Sequence, residues 1–133
     1  MQLYYEHDNK LFVHAGINID TEIDVKDQDP YYLLWEDVMI NHIQKHREHK
    51  IGKWSEIFVG HTPVQIFNEF YTRPKNFGNV WACDTAAGFI GKVSVIDIDS
   101  KEVFQSEQVR KLYPDEKGRN KTTYNQDING KFS

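Results

Sequence analysis

Two histidines occupy matching places in this sequence. Each closes a short apolar run beside glycine: Phe12-Val13-His14-Ala15-Gly16 and Phe58-Val59-Gly60-His61-Thr62. Ligands of open α/β sheets bind just beyond the carboxyl ends of the strands, so a histidine placed there points into the crevice from a rigid support. Two neutral imidazoles can share one divalent metal, each at about 2.0–2.2 Å. Their other ring nitrogens then need acceptors. Two histidines do not complete such a site; a carboxylate, an amide oxygen or water must join them. The same pattern also fits two strand-end histidines satisfied by hydrogen bonds, and spacing alone does not decide between the two. Gly16 and Gly60 are read as leaving room for close approach of backbone or ligand.

The elements that would position these histidines follow from the apolar pattern. Gln2–Glu6 and Lys10–His14 read as strands around the turn His7-Asp8-Asn9. Leu11-Phe12-Val13 is apolar without alternation, as in a strand buried on both faces. The polar, acidic segment Asn18–Pro30 reads as a loop. Over Tyr31–His49, Leu34, Trp35, Val38, Met39 and Ile43 recur at helical spacing, which predicts one helix. Asp29-Pro30 starts it and Gly52 lies just beyond its end. Glu56–Gly60 is the next strand, and Thr62–Asn79 is mostly loop. Strands Asn79–Asp84, Lys92–Asp97 and Glu102–Ser106 complete the chain, with Ser100-Lys101 as a turn.

Other candidate chemistry is weaker. His42, His46 and His49 share one side of the predicted helix at a spacing that can bind zinc. Lys45, Arg47, Glu48 and Lys50 surround them, and the stretch reads as a solvated polar face. The acidic loop Asp20–Asp29 lacks the glycine and glutamate of a calcium-binding loop: Val25 and Tyr31 stand at those positions. Cys83 reads as a small packed residue, and Trp35, Trp54 and Trp81 as core. Arg73 reads as a surface arginine, with contact to a phosphate as its alternative.

Three strings carry a resemblance. Leu-Phe-Val-His-Ala-Gly-Ile-Asn (11–18), Ile-Phe-Val-Gly-His-Thr-Pro (57–63) and Asp-Thr-Ala-Ala-Gly-Phe-Ile-Gly-Lys-Val-Ser-Val-Ile-Asp (84–97) follow in that order. Together they resemble the last three blocks of the calcineurin-like metallophosphoesterases, in the serine/threonine protein phosphatase branch. The resemblance covers about residues 3–118. It implies that His14 and His61 ligate the second metal of a dinuclear site, and that Asp84 and Thr85 lie in a loop near it. The implied cofactors are divalent metal ions, manganese first, with iron or zinc as alternatives. The implied substrate is a phosphorylated protein or a small phosphoester. The earlier blocks of the family, Gly-Asp-x-His-Gly, Gly-Asp-x-x-Asp-Arg-Gly and Gly-Asn-His-Glu, do not occur in these 133 residues. The isolated chain is therefore expected to be inactive until completed by an N-terminal half. The family's Trp-x-Arg is also absent: Trp35-Glu36-Asp37 offers no guanidinium to fork onto phosphate.

Bulk composition is consistent with this picture. Hydrophobic residues make up 39% and aromatic residues 14%, enough for a folded core and unlike a disordered chain. Net charge is −4, which argues against nucleic acid as a partner. No apolar stretch is long enough to span a membrane, and Met1–Lys10 is no signal peptide. One cysteine rules out an internal disulfide, and a cytoplasmic protein is expected. The tail matches a glycosylation acceptor at Asn120-Lys121-Thr122, read as accidental. The expected fold is α/β: a mixed β-sheet of five or six strands with one main helix, equivalent to the C-terminal half of the metallophosphoesterase β-sandwich. Residues 1–118 form that half-domain, and 119–133 a flexible polar tail. Half a sandwich would expose apolar surface, so self-association or pairing with the missing N-terminal half is expected. The alternative is a remnant without catalysis that serves in binding or assembly.

Overall fold

A computed structural model describes residues 2–119. Apart from Arg119, the polar tail lies outside the described residues, as does the Asn120 acceptor. The described residues divide into two compact units, 2–62 with 76–82 and 63–75 with 83–119. The chain is α/β. A five-stranded mixed sheet in the order β1-β2-β3-β5-β4 organises the first unit.

β1 (Tyr4–His7) and β2 (Lys10–Val13) form an antiparallel hairpin. Asp8 and Asn9 take φ of 51° and 58°, both positive as a type I′ turn requires. β2 runs parallel to β3 (Glu56–Val59), with Val13 beside Val59 at their last register position. β3 runs parallel to β5 (Val80–Ala82). β4 (Lys75–Phe77), unforeseen in the sequence, turns into β5 through Gly78-Asn79, and Gly78 takes φ +60°.

The sheet has two unlike faces. Leu11, Val13, Ile57, Val59, Val80 and Ala82 are buried on one, together with Leu33, Met39, Ile40 and Ile43. Each fully buried aliphatic side chain contributes roughly 1.5–3 kcal/mol. The other face carries an aromatic row in register, Phe12, Phe58 and Trp81. Phe12 stacks on Phe58 at 5.0 Å and Phe58 on Trp81 at 6.4 Å between centroids.

The single helix expected over Tyr31–His49 is two. α1 spans Pro30–Leu34 and α2 spans Val38–Lys45. Asp29 caps α1 as expected, its Oδ1 accepting from Tyr31 N–H at 2.9 Å. The break follows from local competition for hydrogen bonds. Trp35 and Glu36 N–H both donate to the Tyr31 carbonyl, and the Glu36 carboxylate accepts from Asp37 N–H. The break also re-aims the apolar stripe. Leu33 and Ile40 join the core, whereas Trp35 is 65% exposed. Trp54 is core as expected.

In the second unit, β6 (Lys92–Ile96) pairs antiparallel with β7 (Val103–Gln108) as a separate two-stranded sheet. A short helix, α3 (Val109–Leu112), follows. Val93, Val95 and Phe104 are exposed on this ribbon.

Candidate functional site

His14 and His61, 47 positions apart, come together at the carboxyl edge of the β2–β3 pair. His14 Nε2 lies 3.1 Å from His61 Nδ1. The parallel register explains the meeting: both strands end at one edge, and Gly60 N–H donates to the His14 carbonyl at 2.9 Å. Two ligand nitrogens on one tetrahedral ion at about 2.0–2.1 Å stand about 3.3–3.4 Å apart, so the pair is close to a shared-metal geometry. In the metal-free pair one ring donates an N–H to the other, and the tautomer sets which.

His61 holds a left-handed backbone, φ +61°, at the centre of a three-residue turn in which Thr62 N–H donates to the Gly60 carbonyl. This is the strained hand of the γ-turn. Such strain persists only where the surroundings enforce it, and it concentrates at functional sites. Trp35 stands with its ring perpendicular to the His61 ring, centroids 5.8 Å apart. An exposed tryptophan at the site is the residue that sequence reasoning misplaced. The irregular Trp35-Glu36-Asp37 stretch was the available signal. The two glycines differ from expectation. A Cβ at Gly60 would meet the His14 carbonyl at an ordinary 3.7 Å, so space does not demand glycine there. At Gly16 a Cβ would press the Met39 methyl at 3.2 Å.

Asp84 and Thr85 belong to the second unit, and their bonds there build a loop. Asp84 Oδ1 accepts from Ala86 N–H at 2.8 Å. Thr85, buried, bonds through its hydroxyl to the Lys92 carbonyl at 2.7 Å and to the Ser94 hydroxyl. Gly91 is tied in by necessity, since a Cβ would stand 1.9 Å from the Thr85 carbonyl. Arg73 donates to the Val103 carbonyl at 3.5 Å.

A second histidine group lies in the first unit. His42, His46 and His49 stand with ring centroids 4.7–5.3 Å apart, and His42 Nε2 is 3.1 Å from His49 Nδ1. Desolvation, then repulsion from His46 and His49, holds His42 below its ordinary pKa, against an upward pull from Asp20. His42 and His49 line a cavity of about 550 Å³ with Glu22, Asp24 and Trp54. Among the described residues, no three His, Cys, Asp or Glu side chains are grouped to hold a metal ion. No helix among them is long and apolar enough to cross a membrane.

No protein-family model matches the chain, and neither does any curated protein.

Proposed function

We propose that this chain supplies one side of a dinuclear metal site for phosphoester hydrolysis, in the manner of the calcineurin-like metallophosphoesterases it resembles. The observation that carries the reading is the 3.1 Å approach of His14 Nε2 and His61 Nδ1 from the ends of adjacent parallel strands. The two imidazoles suit iron or zinc; manganese, the ion the resemblance puts first, would need oxygen ligands from the absent motifs beside them. Bound there, such a cation acts as a Lewis acid toward a phosphoester. The chain's own part is positional. β2 and β3 fix the two imidazoles, the strained turn at His61 aims its ring, and Trp35 covers its flank. The remaining ligands and the phosphate-gripping arginine correspond to motifs absent from these 133 residues. Completion by an N-terminal half is therefore part of the proposal.

A Mn²⁺ titration followed by imidazole NMR tests the site. Paramagnetic broadening centred on His14 and His61 is expected, lost in His14→Ala. No broadening at His14 and His61, or broadening there unchanged in His14→Ala, overturns the reading. The chain alone is expected to show little or no turnover of p-nitrophenyl phosphate, since each missing electrostatic partner costs a factor of about 10²–10³.

A second reading has its own support. Glu36 and Asp37 follow Trp35, which abuts His61, and acidic groups there repel a phosphate. On that reading the chain is a binding or assembly module without catalysis. Robust metal binding that never yields turnover, even with an N-terminal half supplied, would favour it.

A further inference from the structure

Six histidines occur in the chain, and five fall into the two groups described. The second group has no place in the proposed phosphoesterase site. Its members follow local rules. His42 and His46 are one helical turn apart on α2, where His46 is the C-terminal cap. His49 N–H donates to the His46 carbonyl at 3.1 Å, continuing the turn and bringing the third ring back to the first. The segment is held from below by Gly78, where a Cβ would stand 2.3 Å from the His49 carbonyl. The position of His49 is thus fixed by packing, not only by its own loop.

We infer that His42 and His49 form a second, independent cation site, selective for imidazole-preferring ions such as Zn²⁺, Ni²⁺ or Cu²⁺, with His46 turning in as third ligand. Three features carry it. The nitrogens of His42 and His49 are 3.1 Å apart, close to the spacing of two ligands on one ion. The His46 ring packs against both, at 4.7 Å from His42 and 4.9 Å from His49. The pair opens on a cavity whose wall carries Glu22 and Asp24 alongside Lys50 and Lys53, with Asp24 3.4 Å from Lys53, so that Glu22 or water is the further ligand at hand. The turning-in of His46 is required, because the rings as placed do not bring three donors to one point. An all-imidazole set favours Zn²⁺, Ni²⁺ and Cu²⁺ over Mn²⁺.

The test uses the full chain carrying His14→Ala and His61→Ala, so that failure of the strand-end pair cannot be mistaken for failure here. Calorimetric titration with Ni²⁺ is expected to show about one equivalent bound in that background. Adding His42→Ala or His49→Ala should weaken binding at least about a hundredfold, since even loss of a ligand's hydrogen-bond partner costs 10–100-fold. His46→Ala should weaken it less. His49 is exposed and lies outside the helix, so His49→Ala keeps the test valid if His42→Ala fails to fold. Absence of binding in the His14→Ala/His61→Ala background overturns the inference. So does binding that His49→Ala leaves unchanged.

Discussion

The two histidine groups reach the same nitrogen spacing by opposite routes. His14 and His61 meet through a parallel register between strands, each locked by the buried core beneath it. His42, His46 and His49 meet through seven residues of local chain around the end of one helix. The first arrangement is precise and depends on the whole sheet. The second depends on the end of α2 and on the close approach of Gly78 to the His49 carbonyl. The first pair also sits under backbone strain, at His61, whereas the second group shows no positive φ. Precision paid for by distant packing suits a reaction centre; a group gathered around one helix end suits simple capture of an ion.

The largest effect should come from Ile57→Ala. Ile57 is fully buried in β3, and truncation of such a residue costs about 2–5 kcal/mol. Below its thermal midpoint the variant should lose Mn²⁺ broadening at His14 and His61 while keeping Ni²⁺ affinity at His42 and His49. Equal loss at both would break the contrast. Asn79→Ala comes next. The buried Asn79 amide accepts from Ile51 N–H and donates to the Ile51 and Trp54 carbonyls. Orphaning them should cost about 2–3 kcal/mol in chemical denaturation. The third effect is a difference between two variants. His61→Gly should be more stable than His61→Ala by about 1 kcal/mol, because only glycine takes φ +61° without strain. Equal stabilities would remove strain from the account of the pair. The smallest effect is on pH. His42 has a folded pKa below its ordinary value of about 6.5, so the unfolded chain binds more protons in the window between the two. Stability of the metal-free protein should fall as pH drops through that window and level off above it. His42→Asn should flatten the slope in thermal melts against pH; an unchanged slope would place its origin elsewhere.

Much of the first group was legible from the residues. Leu-Phe-Val-His and Ile-Phe-Val-Gly-His read as strands with histidines at their ends, and the strands lie where the apolar runs put them. What failed did so for local reasons. The apolar spacing through Leu34, Trp35 and Val38 is helical, but it cannot reveal that Glu36 turns its carboxylate onto Asp37 N–H and ends the first helix. The strand β4 was hidden because Lys-Asn-Phe has no apolar alternation; only the glycine turn marks it. The two-unit division was equally invisible, since each unit is assembled from two separated stretches of chain. The convergence of His42, His46 and His49 was visible as spacing, and the solvated surface expected there is present: residues 44–50 are exposed.

The parallel register of β2 and β3 also orders events in time. Closing a loop costs entropy that grows with its length, and contacts distant in sequence form late. His42, His46 and His49 can approach as soon as a turn or two of α2 has formed. His14 and His61 cannot meet until the chain between Lys10 and Val59, helices included, has been laid across the sheet. An ion of the imidazole-preferring kind added during refolding would meet the helical group first, while the strand-end pair becomes available only when the parallel sheet closes.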